Sequence, residues 1–78
     1  MAELLEYLAR KLVDEPDAVR VERVDEDDTV VLRLHVAEND LGKVIGRQGR
    51  IARALRTLVR ASAVREGRRV LVEIADPE

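Results

Sequence analysis

Gly42-Lys43-Val44-Ile45-Gly46-Arg47-Gln48-Gly49-Arg50-Ile51 sets a basic Gly-x-x-Gly turn between an apolar pair and an amphipathic stretch. Gly46 and Gly49 allow a sharp bend with exposed N–H groups and no Cβ in the way of an approaching ligand. Asn39 is the expected N-cap of a short helix over Asp40 to Ile45, which Gly46 ends by taking positive φ. A second helix opens near Gly49, so its unpaired N–H groups and the positive end of its dipole face the turn. Arg47 lies inside the turn, Arg50 just after it and Lys43 one helical turn before Arg47. Three cations around one glycine bend favour a phosphodiester. Val44, Ile45 and Ile51 then either offer apolar surface to bases or are consumed by the core, and the residues leave both open.

Working outward, Leu4, Leu5, Leu8 and Leu12 recur at spacings of three and four, which predicts an amphipathic helix over residues 2–13 that Pro16 ends. Val19 and Val21 alternate with Arg20 and Glu22 as a short strand, with Val24 out of register. Asp25-Glu26-Asp27-Asp28 fits a solvated hairpin loop, and the run lacks the alternation and glycine of a calcium-binding loop. Thr29 to Val36 is the clearest strand, with Val30, Leu32, Leu34 and Val36 on one face and Val31, Arg33 and His35 on the other. From Arg50 to about Val64, Ile51, Leu55, Leu58, Val59 and Ser62 form one arc, with Arg50, Arg53, Arg56 and Arg60 opposite. Glu66-Gly67 marks its stop, and Val70, Val72 and Ile74 alternate through a final strand. The order α-β-β-α-α-β implies an α+β domain with a three-stranded sheet packed on three helices. Arg20, Arg33, His35 and Glu73 suit the uncovered sheet face.

The formal charge of −2 conceals a dipole: residues 1–40 carry −7 and residues 41–78 carry +5, with +8 over residues 41–72. Such segregation suggests a basic face for a polyanion, with the acidic part limiting non-specific contact. The absence of cysteine excludes disulfides and thiolate zinc sites, and a single histidine leaves little for a metal or catalytic cluster, so no cofactor is expected. Four acids among residues 1–15 and no continuous apolar run argue against a secretory signal or membrane span, and the cytoplasm is the expected location. An enzyme is disfavoured: Ser62, the only serine, falls on the helix face assigned to the core, and the glycine spacing matches neither Gly-x-Gly-x-x-Gly nor a Walker loop.

Val44-Ile45-Gly46-Arg47-Gln48-Gly49-Arg50-Ile51 resembles the signature of KH domains, which clamp about four nucleotides of single strand at their Gly-x-x-Gly loop. The element order is similar to the bacterial type II arrangement. The run from Asp40-Leu41-Gly42-Lys43 to Leu58-Val59 is similar to the small bacterial KH proteins of the KhpA family. The resemblance implies one KH domain over residues 1–78, with 1–28 as a helix-strand extension and 29–76 as the core. It implies a phosphate clamp of Gly46, Arg47, Gln48 and Gly49, with Lys43 and Arg50 flanking and Ile45 and Ile51 lining the base groove. The loop before the last strand borders that groove in this arrangement, so Arg65, Arg68 and Arg69 are secondary candidates, together with Arg53. Arg56 and Arg60 read as solvent-face charges. In cells the resemblance implies single-stranded RNA as partner, an RNA chaperone or post-transcriptional regulator linked to cell elongation and shape, a homodimer, and a larger KhpB or Jag-type partner. The alternative is a dimerisation or scaffold module acting through the open sheet face or exposed apolar positions such as Leu4 and Leu71.

Overall fold

The computed structural model describes residues 1–75, so the expected end of the core at residue 76 lies outside the described residues. The order is α1 (Ala2–Leu12), β1 (Arg20–Glu26), β2 (Thr29–His35), α2 (Leu41–Ile45), α3 (Arg50–Ala63) and β3 (Arg69–Ile74). The sheet runs β1-β2-β3, with β1 antiparallel to β2 and β2 parallel to β3. The parallel step needs a crossover, which α2 and α3 supply, and the three helices cover one sheet face as a two-layer α+β fold. No helix among the described residues is long and apolar enough to cross a membrane.

Val30, Leu32 and Leu34 of β2, fully buried, form the centre of the core, and Val70 and Val72 of β3 flank them. Each such side chain contributes roughly 1.5–3 kcal/mol on leaving water. Helix α1 buries Leu5 and Ala9, whereas Leu4 and Leu8 are half-buried and Leu12 is exposed. The expected leucine stripe is therefore displaced by one position, because alanine at position 9 lets the helix approach the sheet closely. The same substitution of small for large occurs on α3, whose buried face is Ala52, Leu55, Val59 and Ala63. Leu58, expected in the core, is half exposed on the flank toward α1, and Ile51 and Ser62 are half-buried.

β1 runs longer than its sequence suggests. Asp25 and Glu26 pair with Val30 and Thr29, so the hairpin turn is Asp27-Asp28 rather than a four-acid loop. Asp27 takes φ 47°, a region that Asp reaches more readily than most residues, and a two-residue turn follows. Val24 lies opposite Val31, and Val31 beside Leu71, which puts all three on the uncovered face. That is why Val24 breaks the Val19-Val21 alternation. On the same face Arg33 pairs with Glu73 at 3.1 Å and His35 with Glu22.

The entry to α2 departs most from expectation. Residues Glu38–Asp40 form a 3-10 turn and Asp40, not Asn39, occupies the cap position, yet its carboxylate makes no cap bond to α2. Asp40 is fully buried, and it accepts the backbone N–H groups of Asp14 at 3.1 Å and Glu15 at 3.0 Å, with Lys43 Nζ at 3.5 Å. Burial pushes its pKa upward, but the two N–H donors and Lys43 outweigh that and hold it below the ordinary 3.8. A depressed carboxylate pKa stabilises the fold above the ordinary value, and the contribution disappears as pH falls through the folded value. Asp40→Asn, which turns one acceptor into a donor facing N–H groups, is expected to lower Tm by roughly 10 °C at neutral pH. The variant should also lose less stability than the parent between about pH 5 and about pH 3, read by thermal denaturation followed by circular dichroism.

Candidate nucleic-acid interface

Gly46 closes α2 with its N–H donating to Gly42 O at 2.8 Å, at φ 77°. A Cβ at Gly46 would lie 2.6 Å from Ile51 Cγ1 and 2.9 Å from the Ile51 backbone nitrogen, so the side chain of Ile51 fills the space that glycine leaves. Gly49 also has positive φ, at 74°, with open space around it. Between them Gln48 sits at φ 57°, a left-handed non-glycine residue that costs on the order of 1 kcal/mol and that nothing in the sequence announced. The bend is held by Gly49 N–H donating to Gly46 O at 3.1 Å and by Arg50 N–H donating to Arg47 O. Arg50 Nη2 donates to Gln48 Oε1 at 3.4 Å. Arg47, Gln48 and Arg50 are exposed.

The apolar neighbours divide. Val44 is fully buried and belongs to the core, Ile51 is half-buried against Gly46, and Ile45 remains 36% exposed. Lys43 is drawn away from its expected place beside the turn: its Nζ lies 3.2 Å from Asp14 Oδ2 and 3.5 Å from Asp40 Oδ1. Asp14 and then Asp40 raise the Lys43 pKa above the ordinary 10.5, against some desolvation. Lys43 thus ties α2 to the segment after α1. Arg47, Arg50 and Arg53 make no ion pair among the described residues.

The fourteen residues of α3 separate the loop from Arg65, Arg68 and Arg69 by roughly 21 Å. These three are not brought to the Gly-x-x-Gly bend, and Arg68 is occupied by Asp25 at 3.6 Å. What lies between is a trough along the α3–β3 seam. A groove of about 570 Å³ is lined by Arg33, Arg56, Arg60 and β3 residues Leu71 to Ile74, and a hollow of about 340 Å³ follows beside Arg60, Val64, Arg68 and Arg69. Arg56 is half-buried and its Nε donates to Val72 O at 3.2 Å, satisfying a carbonyl of the sheet edge. Arg56 and Arg60, read from sequence as solvent charges, therefore line the trough. Their four-residue spacing, with Arg53 three residues earlier, was the available signal. The other flank of α3 forms an apolar groove of about 390 Å³ with α1, bounded by Leu8, Leu12, Ile51 and Leu58.

A family model described as KhpA/KhpB, KH domain, matches the chain over residues 2–74. The chain belongs to the KhpA/KhpB KH-domain family. It is 54% identical over 74 residues to the RNA-binding protein KhpA of Clostridium acetobutylicum, covering 95% of this chain and 99% of that protein. To the RNA-binding protein KhpA of Bacillus subtilis it is 45% identical over 76 residues, covering 97% and 94%. The family is one of RNA-binding proteins and not of enzymes. Among solved structures, Era from Aquifex aeolicus and Era in complex with MgGDPNP and nucleotides 1506–1542 of 16S ribosomal RNA each superpose with TM-score 0.64 at 22% identity. Each match covers 94% of this chain but 28% of Era, and at that identity it speaks for the fold alone. With its helix-strand-strand-helix-helix-strand order, the chain has the type II KH fold.

The two glycines of the KH loop differ in what they tolerate. Gly46→Ala forces a Cβ into Ile51 as well as a strained φ and should cost more than about 1 kcal/mol, whereas Gly49→Ala meets open space and should cost about 1 kcal/mol from φ alone. Urea denaturation of both variants checks the order.

Proposed function

We propose that this KH protein binds single-stranded RNA by its sugar-phosphate backbone, with Gly46, Arg47, Gln48, Gly49 and Arg50 gripping one or two phosphates and the strand continuing along the α3–β3 trough. The observation that carries this reading is the pair of exposed guanidiniums at the bend, Arg47 and Arg50, without acid partners among the described residues, at the start of the helix whose Arg56 and Arg60 border the trough. Arginine suits the task because its planar fork contacts phosphate oxygens in pairs. Ile45 supplies the exposed apolar surface beside the bend, and Ile51 supports the loop from beneath. Lys43 contributes by holding α2. Of the secondary candidates, Arg68 and Arg69 line the hollow at its far end, whereas Arg53 lies outside the trough, in a separate hollow with Arg50, Ala54, Thr57 and Leu58. The family resemblance extends this reading to an RNA chaperone or post-transcriptional regulator in the bacterial cytoplasm, linked to cell elongation.

With two or three phosphates engaged, log K against log[salt] is expected to fall with a slope of about −1.4 to −2.1. Changing Arg47 and Gln48 to Asp puts two carboxylates on the loop and should abolish binding while the exposed positions leave the fold intact. Fluorescence anisotropy with unstructured RNA reads both. A slope near zero, or RNA affinity retained in the double variant, would sink the clamp.

A second activity, pairing with another KH chain, is supported by the apolar α1–α3 groove, where Leu58 is 50% exposed. It suits a homodimer or a heteromer with a KhpB or Jag-type protein, and pairing two weak clamps raises effective affinity without new RNA contacts. Leu58→Asp should shift the protein to monomer in light scattering while RNA binding by the single clamp persists. Unchanged mass would remove the groove from consideration.

A further inference from the structure

The tip of the β1–β2 hairpin reaches the segment that joins α3 to β3. Arg68 Nη1 lies 3.6 Å from Asp25 Oδ1, and Nη2 donates to the Asp27 carbonyl at 3.4 Å. Backbone fixes this approach, since Arg69 N–H donates to Asp28 O at 3.1 Å and Arg69 stands beside Thr29 in the parallel register. Arg68 lines the hollow at the far end of the arginine trough, together with Arg60 and Arg69. Its guanidinium is thereby neutralised by a carboxylate and partly used by a carbonyl. Asp27 and Asp28 make no ion pair among the described residues, and they add negative potential at the same end. About one α3 length from the loop the trough thus ends where acids of the hairpin tip meet Arg68, with Arg60 and Arg69 beside it.

We propose that the contact between Asp25 and Arg68 stops the RNA path and limits the length of strand that the protein holds. This rests on the trough being the RNA path. The loop end, with free guanidiniums, takes phosphates; at the hairpin end a phosphate would have to displace Asp25 from Arg68 against the repulsion of Asp27 and Asp28. Removing the Asp25 carboxylate frees Arg68 for one further phosphate, and only a strand long enough to reach it benefits; it also frees Arg23, whose Nε lies 3.1 Å from the same oxygen but which lines neither hollow of the trough, and the Arg68→Ala combination separates the two.

The test compares oligouridylates of about four and about twelve nucleotides in salt titrations with the wild type, Asp25→Ala, Asp25→Asn, Asp25→Ala combined with Arg68→Ala, and Glu26→Gln. Glu26 removes the same charge one residue away, on the other face of β1, and makes no ion pair among the described residues. Both Asp25 variants should bind the longer strand more tightly, with a salt slope steeper by about 0.7, and the shorter strand as before. Glu26→Gln and the double variant should match the wild type in slope. Equal slopes for Asp25→Ala and Glu26→Gln, or a gain that survives Arg68→Ala, would overturn the stop while leaving the clamp intact. A wild type that binds neither oligonucleotide would overturn the RNA reading itself. Asp25 is exposed, so circular dichroism is expected to report an unchanged fold in every variant.

Discussion

The buried carboxylate of Asp40 is the contact on which the geometry of the KH loop depends. Helix α2 has five residues, far too few to be stable alone, and Val44 is its one buried side chain. Its position is therefore set from outside. Two N–H groups donated by Asp14 and Glu15 bring the end of α1 to the start of α2, and Lys43 closes the arrangement from the solvent side. A carboxylate without exposed surface is tolerated only because these groups replace its water. No buried side-chain nitrogen or oxygen among the described residues lacks a partner. The cationic loop thus begins from a fixed platform, in which Lys43 pairs with Asp14 and Asp40.

The second constraint acts at the other end of α2. Gly46 admits Ile51 where any side chain would collide with it, so the two helices meet closely and the bend between them has one shape. Three left-handed residues, Gly46, Gln48 and Gly49, crowd into four positions, and the strain at Gln48 is held in place by the hydrogen bonds that bracket it. A loop shaped before the ligand arrives spends little ordering entropy on binding. That matters for a surface whose contacts are few.

Element order and the loop were legible because they rest on strong local signals: glycine at positive φ, period-two apolar alternation in β2 and β3, and proline after α1. What the chain did not disclose came from tertiary competition. Ala9, Ala52 and Ala63 are weak hydrophobic signals, yet they occupy the contact line because small side chains let helices lie close to the sheet. Leucines 12 and 58 score as core and are left outside for the same reason. The contacts of Lys43 and Arg56 were not legible because a cation's partner can lie far along the chain: Lys43 finds Asp14, and Arg56 finds the Val72 carbonyl. Spacing along one helix says which charges share a face but not what that face meets.

Charge sorting follows from these pairings. Acids of the first forty residues pair with Lys43, Arg23 and Arg68, all off the loop, while Arg47, Arg50 and Arg53 make no ion pair among the described residues. A net charge of −2 is then compatible with a local polyanion site, because the acids act where they are placed and their field is screened within about 10 Å. The only residue among Phe, Trp and Tyr, Tyr7, lies on α1 with Lys11 Nζ 5.3 Å from its ring centre and lines neither hollow of the α3–β3 trough. Base stacking on aromatic rings, worth about 1–3 kcal/mol per base, is thus missing from the proposed path. Affinity there would come chiefly from phosphates, which carry no sequence information, with Ile45 as the exposed apolar contribution. On the proposed path, then, a strand would be held chiefly through its backbone, and selectivity would come from the shape and length of the trough more than from stacked bases.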